Sequence, residues 1–316
     1  MAKTKEISRR IKSVSSTKKI TKAMEMVAAV KMRKAIEAVL KTRTYANLSW
    51  ETVLHLAKLA ESRSDSLHPL LTPRKKITKT AVILITSNRG MCGGYNSAVI
   101  AKAKESIIRH PLPTDFILVG KKGAVVHNQN YEIAAEFEKS EILTDAREIY
   151  PIVKMVLNNY QSGKYDKILV AYTDFVNPAK QIARVKQLLP IEVEKEEDYL
   201  GIISNEAKAG ITPELLAEKD KKHLTEGEYT FEYTFEPSPA EVLDLMIPRL
   251  VEVQLYQAFL EANASEHSAR MTAMHQATEA ANDMVSELTL FFNKARQAAI
   301  TGEIAEISAG ANALAE

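Results

Sequence analysis

The sequence predicts an α plus α/β protein, in which the N- and C-terminal helices form a long antiparallel coiled coil around an inserted α/β domain. Three observations lead to this fold class. Gly and Pro are scarce in the 316 residues, at 11 each, which favours long helices. Both ends repeat apolar residues every three or four positions, whereas the middle alternates strand-like and helix-like segments. We therefore expect an N-terminal coiled-coil helix over 1–62, an α/β domain over 77–236 and a C-terminal coiled-coil helix over 238–316.

The two ends carry opposite charge although the formal net charge is only +2. Residues 1–43 hold 13 Lys or Arg against 3 Asp or Glu, and residues 240–316 hold 4 against 11. The ends can attract each other or face different partners. One cysteine excludes an internal disulfide, and no window holds the roughly 18 apolar residues of a membrane span. The N-terminus has no apolar core of a secretion signal, so we expect a soluble protein, in the cytoplasm or on a cytoplasmic membrane face.

The N-terminal segment predicts one helix because it has neither Gly nor Pro before Pro69. Its apolar positions are Ile7, Ile11, Val14, Ile20, Met24 and Val27. Residues 68–76, with two prolines, are typical of a linker.

The middle segment changes period and predicts a small α/β domain with a largely parallel sheet. Its expected strands are 81–86, 115–120, 165–175 and 182–190, and its expected helices are 97–109 and 144–161. A charged insertion follows at about 192–228, with a short helix near 213–221. The alternating residues 228–237 are typical of a strand that returns to a sheet edge.

The C-terminal segment predicts a helix that starts near Ser238 and Pro239, a suitable N-cap and first helical residue. At ~1.5 Å per residue, its part from Arg249 onward would be roughly 100 Å long. A heptad seam runs through Leu250, Val253, Gln257, Leu260, Ala264, His267, Met271, Met274, Thr278, Ala281, Val285, Leu288, Phe292, Ala295 and Ala299.

This seam is unusual because Ala, Thr, His and Gln interrupt its large apolar residues. Self-sufficient coiled coils prefer large aliphatic residues at these positions. Small residues allow close approach of the helices but bury less apolar area. The pattern therefore predicts helices that pair with each other and gain further stability from surrounding chains.

The glycine-rich stretch "SNRGMCGGYN" follows a predicted strand and invites comparison with phosphate-binding loops. Counted from Gly90, the second glycine and the lysine of a Walker loop would fall on Tyr95 and Asn96. The later glycines of a dinucleotide fingerprint would fall on Cys92 and Tyr95. Neither motif is present, and the sequence favours a tight turn at 93–94 with positive φ angles.

No catalytic residues, cofactor-binding residues or metal ligands stand out along the chain. Cys92 has no histidine near it in the sequence and is more typical of an apolar filler. His267 and His275 can share a helix stripe, but a third ligand is not evident. The basic N-terminal helix could bind nucleic acid, yet it lacks aromatic residues before Tyr45. A nucleotide-dependent enzyme and a nucleic-acid-binding coiled coil remain rival hypotheses.

Four stretches closely resemble the gamma subunit of F-type ATP synthases, of the bacterial type. They are "STKKITKAMEMVAAVKMRKA" (16–35), "RGMCGGYN" (89–96), "ASEHSARMTAMHQATEAANDM" (264–284) and "NKARQAAITGEIAEISAGANA" (293–313). The resemblance implies a Rossmann-like α/β domain and a central-stalk rotor that is itself non-catalytic. It also implies a peripheral position on the cytoplasmic face of the bacterial plasma membrane.

The partners implied by the resemblance are the alpha and beta subunits of the catalytic hexamer, the epsilon subunit and the c-ring, with no nucleic acid. Rotation of the ion-driven c-ring would turn this chain, whose angle would bias the conformation of each beta subunit. Residues 307–315 are mostly small and apolar, so this end of the C-terminal helix would make few hydrogen bonds to the surrounding subunits that each rotation would have to break.

Particular residues match the motifs through which the family contacts its partners. The resemblance implies beta-subunit contacts for Met24, Lys22, Lys31, Arg270, Arg296, Gln297, Thr301 and Glu303. It implies a contact on the c-ring or epsilon side for Glu236. For Lys22 and Lys31 a solvated helix face is the alternative.

Two departures from the family are visible. The insertion at 192–228 is longer than in a typical bacterial member, and it could act as a brake or be decoration. Cys92 is alone, so we do not expect thiol switching of the chloroplast kind.

Overall fold

The computed structural model describes residues 2–62, 68–74, 76–129, 131–143, 145–191 and 239–315. The predicted short helix at 213–221, the strand at 228–237 and Glu236 lie outside the described residues. The helices are α1 (Ala2–Ser62), α2 (Tyr95–Arg109), α3 (Tyr150–Gln161) and α4 (Pro239–Ala315). The strands are β1 (Thr80–Ile85), β2 (Thr114–Val119), β3 (Glu132–Phe137), β4 (Lys167–Asn177) and β5 (Lys180–Leu189).

The chain forms two compact units, and α1 and α4 contribute to both of them. We call Met1–Ala29 with Arg270–Glu316 the helical unit, and Val30–Ala269 the sheet unit. The domain boundaries expected from the sequence stay a prediction. Among the described residues, none of the helices combines the length and apolar character needed to cross a membrane.

The helical unit is an antiparallel pair of α1 and α4 segments, as the sequence predicted. Lys18 donates to Asn282 at 2.6 Å, and Thr278 donates to Thr21 at 2.8 Å. As α1 proceeds, its partners on α4 come earlier in the chain, so the helices run in opposite directions. The seam positions of α4 from Met271 to Ala299 are all buried or half-buried, which confirms the heptad pattern.

The face that α1 turns to α4 differs from the predicted stripe at two positions. Ile20 and Val27 are exposed, whereas their neighbours Thr21 and Ala28 are buried. The smaller residues let the two helices approach closely, while the large apolar ones point away from α4. Apolar periodicity was therefore misleading at these two positions, where Thr21 and Ala28 take the places expected for large apolar residues.

The sheet unit contains a five-stranded sheet of order β3-β2-β1-β4-β5. Strand β1 pairs in parallel with β2 and β4, and β2 pairs in parallel with β3. Among the strands that the structure describes, β5 alone is antiparallel, and it follows β4 through a short turn. The predicted Rossmann-like, largely parallel sheet is therefore confirmed.

Strand β1 lies at the centre of the sheet and is buried on both faces, as its unbroken apolar run predicted. Ala81, Ile83 and Ile85 face a core that includes α3 and the first part of α4. Val82 and Leu84 face a second core that includes α2. This arrangement holds α4 against one face of the sheet and α2 against the other.

Strand β3 and the 3₁₀ segment Lys121–Gln129 were missed by the sequence analysis. Residues of β3 alternate between exposed and half-buried because it is an edge strand. The predicted helix 144–161 is divided, since Asp145 caps a short 3₁₀ turn before α3 begins at Tyr150. Thr144 itself lies outside the described residues.

Asp166, the residue before β4, is hydrogen-bonded to the segment that precedes β1. Its carboxylate accepts hydrogen bonds from the backbone N–H and the hydroxyl of Thr78, and from the Lys79 N–H at 3.2 Å. Arg74 donates to the same carboxylate at 2.9 Å. These donors favour the charged form, so the hydrogen bonds from Thr78 above all lower the pKa of Asp166 from 3.8 to about 2.

We expect the Asp166→Asn variant to be less stable than the wild type by about 1–2 kcal/mol at pH 7. The folded-state pKa is depressed, so this stabilisation is complete above about pH 4 and is lost as the pH falls towards 2. Urea denaturation of both chains at pH 7 and pH 3 would measure the difference. The gap should narrow at pH 3, whereas the exposed control Asp283→Asn should show neither effect.

Candidate functional site

The predicted partner-binding residues near the N-terminus lie on α1. The Lys22 ammonium is about half exposed and lies 3.0 Å from a carboxylate oxygen of Glu25. This hydrogen bond holds the pKa of Glu25 below its usual value. Met24 is half-buried beside them, and His275 of α4 contacts Glu25 at 3.3 Å. Lys22 and Met24 therefore lie next to the contact between the two helices.

Lys31 belongs to the sheet unit and has a partner within the chain. Its ammonium binds the carboxylate of Glu141, a residue that follows β3. The hydrogen bond from Lys31 is the main reason why the pKa of Glu141 lies below its usual value. Arg89, from the loop after β1, reaches the same carboxylate at 3.7 Å. The predicted contact of Lys31 with a beta subunit stays a prediction.

The predicted residues on α4 fall into two places. Arg270 is half-buried at the start of the helical unit's α4 segment. Arg296, Gln297, Thr301 and Glu303 are all exposed and lie within two turns of one another. The Thr301 hydroxyl donates to the Gln297 carbonyl at 3.0 Å within the helix. The structure does not bring this group together with Lys22 or Met24. Thr21, beside Lys22, bonds Thr278, which lies 18 residues before Arg296 and so about 27 Å from it along α4.

Large apolar side chains are exposed on both helices of the helical unit. Ile20 is 60% exposed on α1, and Leu290 and Ile307 are more than 70% exposed on α4. Other exposed members are Met26, Val27, Met284, Phe291, Ile300 and Ile304. Exposed apolar residues in such number are typical of a surface that binds other proteins.

A second group of functional interest was not found from the sequence. Residues Ala262–Ser268 of α4, which we call the anchor segment, are all buried, and most of them carry polar side chains. Lys139, two residues after β3, donates to Glu266 at 2.7 Å, and both side chains are almost fully buried. Tyr95 donates to the Ala262 carbonyl at 3.2 Å and lies beside the same lysine. Buried charges of this kind are rare unless they are paired.

Further hydrogen bonds join the anchor segment to the sheet unit on two sides. Towards the residues after β3, Asn263 donates to the Ser140 carbonyl at 3.2 Å, and His267 contacts the Glu141 carbonyl at 3.0 Å. Towards β4 and its turn, Ser265 donates to the Thr173 carbonyl at 3.0 Å and Ser268 donates to the Pro178 carbonyl at 2.7 Å. The anchor segment thus lies across the carboxyl edge of the sheet.

The loop between β1 and α2 is held by its own hydrogen bonds. The Asn96 amide accepts from the Ser87 N–H at 2.9 Å and donates to the Ser87 hydroxyl at 2.7 Å. Gly93 has the positive φ that was predicted, at 55°, but Gly94 does not, and Met91 shares the left-handed conformation. In open α/β sheets, nucleotides bind outside the carboxyl ends of the strands. Here the anchor segment lies at that edge.

Comparisons with known proteins agree with this architecture. A family model described as ATP synthase matches residues 3–314. The ATP synthase gamma chain of Pelotomaculum thermopropionicum is 40% identical over 319 residues, which cover 99% of this chain and all of the relative. The ATP synthase gamma chain of Symbiobacterium thermophilum is 39% identical over 313 residues and 98% of each chain.

Solved structures share the fold. A chain from the Euglena gracilis mitochondrial ATP synthase, in a structure of its OSCP, F1 and c-ring parts, has a TM-score of 0.61. It is 17% identical, and the match covers 99% of this chain and 95% of that one. A chain from the central stalk and c-ring of the Tetrahymena thermophila enzyme has a TM-score of 0.57 at 22% identity, over 82% of this chain and 99% of that one. On the family match and these full-length identities, the chain belongs to the gamma-chain family of the ATP synthases.

Proposed function

We propose that this chain is the central-stalk rotor subunit of an F-type ATP synthase and is not catalytic itself. The observation that carries the proposal is the exposed apolar surface of the helical unit. Ile20 and Val27 of α1, and Leu290, Phe291, Ile304 and Ile307 of α4, are more than half exposed although they are large and apolar. Surrounding chains would bury this surface, as the dilute seam of α4 also predicts.

The proposed surrounding chains are the alpha and beta subunits of the catalytic hexamer. The epsilon subunit and the c-ring would contact the sheet unit, with Glu236 on that side. Through these partners the chain would be peripheral to the cytoplasmic face of the bacterial plasma membrane. The family membership supports this placement.

The proposed mechanism is mechanical coupling. Two unlike helices present a different surface to each beta subunit at each rotation angle. The helical unit then acts as a ligand with different affinities for different conformations of the beta subunit, and it shifts the populations of those conformations. Apolar contacts suit such a moving surface because they are not directional. Rotation therefore breaks few hydrogen bonds while it changes which beta conformation is favoured.

Polar side chains would give the contact its specificity. We propose that Arg296, Gln297, Thr301 and Glu303 contact beta-subunit loops, because they are exposed on one short stretch of α4. Lys22, Met24, Lys31 and Arg270 are proposed beta contacts on the strength of the motif match. An arginine can hold a carboxylate with two parallel hydrogen bonds, so Arg296 is the strongest candidate.

We expect Arg296→Ala to lower ion-driven ATP synthesis about tenfold, because a charge-assisted hydrogen bond contributes about 1.5–3 kcal/mol. The side chain is exposed, so the free energy of unfolding should change by less than about 0.5 kcal/mol. The measurements are ATP synthesis by the complex in vesicles and urea denaturation of the chain. Lys294→Ala, an exposed cation on the same helix, is the matched control. Equal synthesis rates in both variants would contradict the role of Arg296.

Reconstitution tests the function as a whole. The chain, mixed with alpha and beta subunits of a gamma-deficient complex, should restore ATP hydrolysis and copurify with them. Failure of both would overturn the proposal. Micromolar nucleotide binding by the isolated chain, lost in Gly93→Val, would instead favour a nucleotide-dependent enzyme.

A further inference from the structure

Hydrogen bonds and an ion pair surround the anchor segment, Ala262–Ser268. Helices in coiled coils are instead held mainly by apolar side chains. Asn263 and His267 bond the residues after β3, whereas Ser265 and Ser268 bond β4 and the turn after it. At 3.6 residues per turn, Ser265 and Ser268 lie about 200° and 140° around the helix from Asn263. The hydrogen bonds therefore hold opposite sides of α4.

The residues after β3 contact both long helices. Lys139 binds Glu266 of α4 through a buried ion pair, and Glu141 binds Lys31 of α1. The backbone N–H and carbonyl of Lys139 also bond the side chain of Asn88, at 3.3 and 2.6 Å, which ties these residues to the loop after β1. Three consecutive residues, 139–141, thus join the sheet to α1 and α4.

The hydrogen bonds of the anchor segment join α4 to the sheet, whereas those of Lys18 and Thr278 join the two long helices to each other. Apolar contacts are not directional, so they resist turning of a helix only through the fit of the packed side chains. Hydrogen bonds weaken steeply when their geometry is lost. For α4 to turn within the sheet unit, bonds on opposite sides would have to break together and leave buried polar groups without partners.

We propose that the anchor segment and residues 139–141 form a torque joint, which locks α4 against turning relative to the sheet. This inference rests on the proposed rotor function. A torque that enters through the sheet unit would reach the rest of α4, which continues to Ala315 without a break, only if this joint holds. Lys139, Glu266, Asn263, Ser265 and Ser268 are positioning residues in this sense, and none of them needs to touch a partner subunit.

The test separates hydrolysis from pumping. The Ser265→Ala/Ser268→Ala variant loses both hydrogen bonds towards β4 with little change in volume. Complexes that carry it would be reconstituted in vesicles, and ATP hydrolysis and ATP-driven ion pumping would be measured together. Hydrolysis needs only rotation of the helices inside the hexamer, so it should stay near the wild-type rate. Each lost bond should raise the rate of slipping about fivefold, so the two together should raise it about 25-fold, and the number of ions pumped per ATP should fall below the wild-type value.

Leu260→Ala is the control, because it lowers stability through lost apolar packing but removes no hydrogen bond between α4 and the sheet. Leu260 is buried two residues before the anchor segment and belongs to the apolar core. The ratio of ions to ATP should stay at the wild-type value in this variant. An unchanged ratio in the serine variant, or an equal fall in Leu260→Ala, would overturn the torque joint. If the double variant does not assemble, Ser268→Ala alone should give a smaller fall in the same ratio.

The same experiment distinguishes this inference from the proposed function. If complexes with the wild-type chain neither hydrolyse ATP nor pump ions, the rotor function itself fails and the torque joint fails with it. If the wild type does both and the serine variant does both in the wild-type ratio, only the torque joint is wrong.

Discussion

Replacing Lys139 with methionine is expected to lower the free energy of unfolding by about 3–5 kcal/mol, because it leaves the charge of Glu266 buried without its cation. The two groups are 2.7 Å apart, and their side chains are only 1% and 6% exposed. Methionine can occupy the space of the lysine stem, so the loss reports on charge rather than on packing. Urea denaturation of the full chain, followed by far-ultraviolet circular dichroism, would measure it.

Two further variants make this prediction specific. Lys121 pairs with Glu138 at 3.1 Å, but both side chains are about two-thirds exposed, so Lys121→Met should cost less than about 1 kcal/mol. The double variant Lys139→Met/Glu266→Leu removes both buried charges and should recover most of the stability that the single variant loses. Similar losses for Lys139→Met and Lys121→Met would show that burial does not strengthen the pair.

Amide hydrogen exchange can show which part of the chain Lys139→Met destabilises. Amide hydrogen exchange should rise most in the anchor segment, where Asn263, Ser265 and Ser268 depend on the fit of α4 against the sheet. Exchange in the helical unit should change little, since its contacts lie elsewhere. A uniform rise along the chain would indicate global destabilisation without a particular role for these contacts.

Periodicity predicted the fold because the long helices and the central strands have simple burial patterns. Strand β1 is buried on both faces and reads as an unbroken apolar run, and the seam of α4 keeps its spacing from Leu250 to Ala299. Strand β3 was missed because it is an edge strand, whose residues "EIAAEF" alternate only weakly. The contact face of α1 was misplaced because Thr21 and Ala28, rather than Ile20 and Val27, meet α4.

The anchor segment could not be predicted from periodicity, because most of its partners are backbone carbonyls far away in the sequence. Ser265 bonds the Thr173 carbonyl and Asn263 bonds the Ser140 carbonyl, and a carbonyl has no residue type that marks it. In the sequence, only Ala264 and His267 of this run stand at predicted seam positions. The other polar residues fall between seam positions, where periodicity predicts exposed side chains, so the sequence held no signal of their burial.

Among the glycines that the structure describes, Gly120 has the closest contacts, and it follows β2 outside the glycine-rich stretch. Gly120 has a φ of 94°, and a Cβ built there would lie 2.3 Å from the carbonyl oxygen of Thr86. Thr86 cannot move aside easily, because its N–H and its hydroxyl both bond the Val119 carbonyl, at 2.8 and 3.1 Å. The close approach of the β1 and β2 ends therefore requires a residue without a side chain.

We expect Gly120→Ala to destabilise the chain by about 3–5 kcal/mol, the sum of backbone strain at positive φ and of a clash with a buried carbonyl. Two glycines of the same unit separate these causes. Gly93 also has a positive φ, but a Cβ there meets nothing within 4 Å, so Gly93→Ala should cost only about 1–2 kcal/mol. Gly90 has neither restriction, and Gly90→Ala should be nearly neutral. Urea denaturation of the three variants would give this order, and equal losses at Gly93 and Gly120 would mean that the contact with Thr86 relaxes without cost.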